Sequence, residues 1–199
     1  MLEKIISADI GLLKFIQSFV DPDNGIQVEI IKLLSDFGVI LVVILLIGLW
    51  IYGVYKKKDI FKENALMIFY SIAFSFLIYV ILNLGLPLRP RPETVSAIRP
   101  LVDHLPDNSF PSGHAIFAGA SIFASYFFSK RCVFSVLVIF SFLMLISRIM
   151  VGIHYPTDIF VGLIIGMIGA FFVYKNKDSG IFKKYLLPFP IKIAKFIKL

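Results

Sequence analysis

The sequence is poor in several residue types that would place it in familiar classes. It has one cysteine in 199 residues, Cys132, so no intrachain disulfide can form and cysteine usage leaves the redox compartment open. Its first twenty residues make no convincing signal peptide: Glu3 and Asp9 interrupt them, and no small-residue cleavage site follows an apolar core. No internal repeat and no low-complexity segment stands out. Acidic residues are outnumbered, 13 Asp plus Glu against 20 Lys plus Arg, which gives a net charge of +7. Nucleic acid is not the implied partner, because the lysines are bunched. Lys56, Lys57, Lys58 and Lys62 fill one loop, and Lys175, Lys177, Lys183, Lys184, Lys192, Lys195 and Lys198 crowd the C-terminal tail. Such clusters read as topology signals facing anionic lipid heads.

Apolar residues, in contrast, are abundant. They form 58% of the chain, with a mean hydropathy of +0.88, where soluble domains run at roughly 45–50%. They come in blocks: 37–55, 65–84, 110–128, 132–151 and 155–174. Each block is about 20 residues, the length a hydrocarbon core of about 30 Å requires. Helices are the expected spanning form, since every backbone polar group must be satisfied internally. Gly119, Ser121, Ser125, Gly162, Gly166 and Gly169 permit close helix approach, and Gly162–Gly166 has the small-xxx-small spacing.

The expected fold is therefore all-α: a polytopic membrane helical bundle with five spanning helices, plus interfacial helices. Stretches 8–19 and 26–34 are shorter and partly polar and are expected to lie at the interface, a sixth span being the alternative. The tail end at 190–199 is expected either on the inner leaflet or as a basic tail. The domain reading is 1–36 as an extracytoplasmic or interfacial segment, 37–174 as the membrane domain and 175–199 as a basic cytoplasmic tail. The lysine clusters, with Lys130-Arg131, place the C-terminus inside and the 85–114 and 148–158 regions outside.

Ionisable groups inside a bilayer cost from about 2.5 kcal/mol upward. Here they occur only at the outer ends of the third, fourth and fifth blocks: His114, Arg148, His154 and Asp158, with Arg89 and Arg91 just before. Each has an ordinary structural reading. Arg148 can be a snorkelling anchor, His154 a packed histidine, and Asp158 a first-turn acid after Pro156. Ser112 can be a simple N-cap, and Arg89 and Arg91 head-group contacts. His104 sits in a loop with no obvious partner. The joint occurrence on one face is what the ordinary readings leave unexplained.

Arginines hold phosphate oxygens in bidentate geometry. A helix opening at Ser112 aims the backbone N–H groups of Gly113 and His114 outward, which is an anion site. One histidine can attack phosphorus while the other protonates the leaving oxygen, and Asp158 can fix the tautomer of His154. Such a site uses no metal and no cofactor. A metal held by His114, His154 and Asp158 competes with this reading, although surplus arginines would repel the ion. A Ser112–His154–Asp158 triad of an intramembrane serine hydrolase competes too, but lacks the G-x-S-x-G elbow. A non-catalytic lipid-binding membrane protein would need no paired histidines.

The motif set resembles that of the type 2 phosphatidic acid phosphatase superfamily, marked by K-x6-R-P, P-S-G-H and S-R-x5-H-x3-D. "PSGH" stands at 111–114, and "SRIMVGIHYPTD" at 147–158 fits every fixed position. The first motif is partial: Arg91-Pro92 fits its end, while its lysine position falls on Leu84. The resemblance implies a membrane lipid phosphate phosphatase with His154 as nucleophile, Asp158 in support and His114 as general acid. It implies that Arg91, Arg148, Ser112 and Gly113 bind the phosphate, and Arg89 is expected to substitute for the missing lysine. The chain looks most like the bacterial undecaprenyl-diphosphate phosphatases. That likeness implies the plasma membrane, an outward-facing site, a membrane lipid phosphate as substrate and the bilayer as the surrounding partner. Phosphatases of lipid A or phosphatidylglycerophosphate are the alternatives; oligomeric state is not given.

Overall fold

The computed structural model describes residues 2–85, 87–95, 98–102 and 108–196; His104 lies outside them. Among the described residues there is no strand. The helices are α1 (Leu2–Gln17), α2 (Gly25–Lys56), α3 (Asp59–Gly85), the short α4 (Pro92–Val95), α5 (Gly113–Phe128), α6 (Arg131–Met150) and α7 (Pro156–Asn176). A π-helical turn (Phe182–Leu186) and α8 (Pro188–Phe196) follow. Helices α2, α3, α6 and α7 are long and apolar enough to cross a membrane, and α5 is a shorter apolar helix beside them. The protein is an all-α membrane bundle.

Two expectations about segment limits are corrected. Stretch 26–34 is not a separate interfacial helix. Asn24 caps it by accepting from the Gln27 amide (3.1 Å), and no proline interrupts the run into the apolar block. The resulting α2 has 32 residues, about 48 Å at 1.5 Å per residue, so it overshoots a hydrocarbon core of about 30 Å. The third block is shorter than expected. Pro111 cannot sit inside a helix, Ser112 takes the extended N-cap conformation, and α5 has only 16 residues. That length is tolerated because α5 is the central helix, packed between α3, α6 and α7, with Ala115, Ile116, Ala118, Ala120 and Ala124 fully buried.

The α5–α7 contact explains the glycine spacing read from the sequence. A Cβ on Gly166 would fall 2.3 Å from the Ile116 carbonyl oxygen and 2.5 Å from the Ala120 nitrogen. Both are helix backbone and cannot step aside. Gly166→Val is therefore expected to cost about 3 kcal/mol, the upper end for overpacking, and to lower the Tm in detergent by roughly 6–12 °C. Gly48→Val is the control, since nothing lies within 4 Å of a Cβ there. An unchanged Tm for Gly166→Val would show that the seam is not close-packed.

Chain direction sorts the two ends of the bundle. The C-terminal ends of α3 and α6 meet the N-terminal ends of α5 and α7, with α1 packed against α6 and α7. The opposite end gathers the α2–α3 turn, the α5–α6 turn and the tail, and with them Lys56, Lys57, Lys58, Lys62, Lys130, Arg131, Lys177, Lys183, Lys192 and Lys195. The tail does not trail away. Tyr70 Oη donates to the Leu186 carbonyl (2.7 Å) and Lys195 pairs with Asp59 (2.5 Å), so the π-helical turn and α8 fold back onto α3.

Candidate active site

The chain leaves α6 through Val151-Gly152-Ile153 and enters α7 at Pro156. Gly152 has φ +82°, a left-handed conformation that favours glycine, and a Cβ there would meet Gln17 Nε2 at 2.5 Å. This turn is fixed from outside: the Leu101 amide donates to the Val151 carbonyl (2.9 Å), and Arg91 Nη1 donates to the Ile153 carbonyl (2.7 Å). His154 follows immediately and is buried.

The orientation of His154 follows from a neighbour that sequence reasoning did not single out. Its Nδ1 lies 3.0 Å from the Ser109 carbonyl oxygen. A carbonyl only accepts, so Nδ1 carries the proton and Nε2 keeps its lone pair. Asp158, expected to fix this tautomer, is 3.6 Å from Nδ1, an ion-pair distance longer than a hydrogen bond. Its carboxylate serves the surrounding scaffold. Oδ2 accepts from Ser109 Oγ (2.6 Å) and from the Tyr155 amide (2.9 Å), and Oδ1 accepts from Arg89 Nη1 (2.5 Å). The Asp158 carbonyl accepts from the Ser112 amide (3.2 Å), tying the start of α7 to the start of α5. Burial holds the pKa of His154 below its ordinary value; Asp158 pulls it up, and the charges of Arg148 and Arg91 push it further down.

His114, in the first turn of α5, faces Arg148 from the last turn of α6. Between them stands Asp36 of α2, whose Oδ1 is 3.1 Å from His114 Nε2 and 3.0 Å from Arg148 Nη1. Ser112 is fully buried, and its Oγ has no hydrogen-bond partner among the described residues. A buried hydroxyl in that condition calls for a partner. It lies beside the first-turn N–H groups of α5, which have no acceptor within their own helix.

All eight residues singled out from the sequence thus gather at one end of the bundle, but Arg89 is not where it was expected. Its guanidinium does not face an open anion site. It is bracketed by Asp158 and Asp9, with Nη2 2.6 Å from Asp9 Oδ2, and stacks 3.9 Å from the Tyr155 ring centroid. Leu84, at the missing lysine's position, is among the most exposed residues of α3. The serine triad is not assembled, since Ser112 Oγ bonds to no imidazole. Among the described residues, no group of three His, Cys, Asp or Glu is arranged to hold a metal ion.

Asp36, Ser109 and Asp9 were missed. Asp36 carried a faint signal, as the last acid before a long uncharged block. Asp9 is one of two acids, with Glu3, in the amphipathic helix α1.

An all-α membrane bundle with two imidazoles and several arginines at one end fits a membrane lipid phosphate phosphatase, and similarity to known proteins assigns that class. The chain belongs to the PAP2 superfamily, whose family model matches residues 64–179. It is 26% identical over 155 residues to the undecaprenyl-diphosphatase BcrC of Bacillus subtilis (strain 168), covering 78% of this chain and 77% of that protein. It is 30% identical over 134 residues to the bacitracin transport permease protein BcrC of Bacillus licheniformis, covering 65% of this chain and 63% of that one. Two crystal structures share the fold. LpxE of Aquifex aeolicus superposes with a TM-score of 0.68 at 24% identity, covering 83% of this chain and 93% of that one. The first transmembrane PAP2-type phosphatidylglycerolphosphate phosphatase from Bacillus subtilis superposes with a TM-score of 0.67 at 22% identity, covering 89% of each chain.

Proposed function

We propose that this enzyme hydrolyses undecaprenyl diphosphate to undecaprenyl phosphate and inorganic phosphate through a phosphohistidine on His154. The observation that carries the mechanism is the anchoring of His154 Nδ1 on the Ser109 carbonyl, which leaves Nε2 as a bare nucleophile. Nε2 attacks the terminal phosphorus and the bond to the bridging oxygen breaks. His114 delivers a proton to that departing oxygen. In the second half, water attacks the phosphohistidine, His114 takes the water's proton, and phosphate leaves with His154 restored. Arg91, Arg148, Ser112 Oγ and the amides of Gly113 and His114 hold the transferring group.

The substrate reading is supported by the likeness to undecaprenyl-diphosphatase BcrC and by the setting, since a long apolar tail stays in the bilayer while its diphosphate meets the end of the bundle. Sidedness is supported by the sorted lysines. A positive inner end puts the C-terminus in the cytoplasm and the site on the outer face of a bacterial plasma membrane.

The deciding experiment is a phosphate-release panel with purified protein on undecaprenyl diphosphate, phosphatidylglycerophosphate, phosphatidic acid and lipid A. The highest kcat/KM is expected for undecaprenyl diphosphate, unaffected by EDTA and inhibited by vanadate. A preference for one of the other lipids overturns the substrate, and loss of activity in EDTA overturns the mechanism. The pH profile adds a signed prediction. Because burial disfavours the imidazolium of His154, its nucleophilic form persists below the ordinary histidine pKa. The acid limb of kcat/KM is therefore expected below about pH 6.5, and an acid limb above that value would argue against His154 as the attacking group.

A further inference from the structure

Helices α1 and α2 precede the region matched by the family model, yet α1 reaches the site through the side chain of Asp9. Asp9 is 4% exposed. Its Oδ1 accepts from the Thr157 amide (3.0 Å), and its Oδ2 accepts from Thr157 Oγ1 and from Arg89 Nη2 (2.6 Å). On its other side Arg89 Nη1 donates to Asp158 Oδ1 (2.5 Å) and to Thr157 Oγ1 (2.7 Å). One guanidinium therefore separates two buried carboxylates that would otherwise repel each other.

The backbone of Arg89 is engaged as well. Its amide donates to Asn108 Oδ1 (2.9 Å), and its carbonyl accepts from the Ser109 amide (3.0 Å). Ser109 supplies both the carbonyl that orients His154 and the hydroxyl that holds Asp158. Arg89 thus grips both supports of His154, one with its side chain and the other with its main chain.

We propose that Asp9 and Arg89 form a positioning pair that holds Ser109 and Asp158, and through them His154, in attack geometry, so that α1 is a working part of the active site. Neither residue touches the phosphate. Asp9 acts through Arg89 and through its own bonds to Thr157: without it the guanidinium has a single carboxylate partner and the start of α7 loosens. A brace of this kind governs the rate of phosphoryl transfer and leaves ground-state binding of the phosphate nearly alone.

The inference rests on His154 being the nucleophile, and the experiment separates the two ideas. Full-length wild type, Asp9→Asn, Arg89→Gln, the double variant and His154→Ala are reconstituted in vesicles. They are assayed on whichever lipid in the panel the wild type turns over fastest. Asp9→Asn is expected to lower kcat at least tenfold with KM and inhibition by inorganic phosphate changed less than twofold. The double variant should lose less than the product of the two single losses, because the two residues share one network. Thr157→Val removes one hydroxyl without stranding a charge. It is expected to show the same kcat-only loss at smaller size, and it decides the matter if Asp9→Asn does not fold. A wild-type kcat in Asp9→Asn overturns the pair, or in Thr157→Val if that variant must serve. So does a tenfold rise in KM and in the inhibition constant of inorganic phosphate for Arg89→Gln, since that pattern marks a phosphate ligand. Activity surviving in His154→Ala overturns the underlying mechanism instead.

Discussion

His154→Ala is expected to lower phosphate release by about three orders of magnitude or more, the scale on which removing a covalent nucleophile acts. The substitution also strands the Ser109 carbonyl, which His154 Nδ1 meets at 3.0 Å. Losing that partner costs only about 1–3 kcal/mol of stability, so it cannot by itself account for the loss if the protein stays folded. His154→Asn sharpens the test. Its amide can still donate toward the Ser109 carbonyl, but it offers no nucleophile toward phosphorus, so activity should fall as far as with alanine. Quenching in alkaline detergent with labelled substrate should trap an alkali-stable, acid-labile phosphoenzyme in the wild type and none in either variant. Turnover above a few per cent of wild type in His154→Asn, or a phosphoenzyme formed without His154, would place the covalent step elsewhere.

Much of this site was legible in the sequence because its chemistry is local. Ser112, Gly113 and His114 are consecutive, and Arg148, His154 and Asp158 lie within one turn-and-helix stretch, so spacing alone placed them at two neighbouring helix ends. The lysine clusters gave the sorting of the two ends of the bundle for the same reason. What spacing could not show were partners brought in from far along the chain. Asp36 meets His114 across 78 positions and Arg148 across 112, and Asp9 meets Thr157 across 148. Arg89 illustrates the difference. Its charge and its place near Arg91 suggested a phosphate ligand, and only the packing of α1 and α7 around it revealed two carboxylates already claiming it. The unbroken α2 has a related cause. Its polar first third reads as an interfacial piece, but nothing in residues 25–36 stops a helix, and the cap at Asn24 starts one.

Replacing His114 should produce a loss whose size depends on what departs. With a lipid monophosphate the leaving group is an alkoxide, which cannot leave without a proton, so His114→Gln is expected to cost about 10²–10⁴-fold in kcat, the usual span for a general acid. With a lipid diphosphate the leaving group is itself a phosphate ester, a far weaker base, and the same variant should retain much more of its activity. The ratio of the two losses therefore reads the proposed role of His114 directly. Asp36 adds a second dimension, since it holds His114 Nε2 and Arg148 Nη1 through the same oxygen. A carboxylate there sits on the departing side of the reaction, where a diphosphate substrate brings negative charge of its own. Asp36→Asn should accordingly favour the diphosphate over the monophosphate, whereas a variant that merely loosens the fold should lower both activities alike. Equal losses on both substrates in His114→Gln would mean that His114 positions the phosphate and donates no proton.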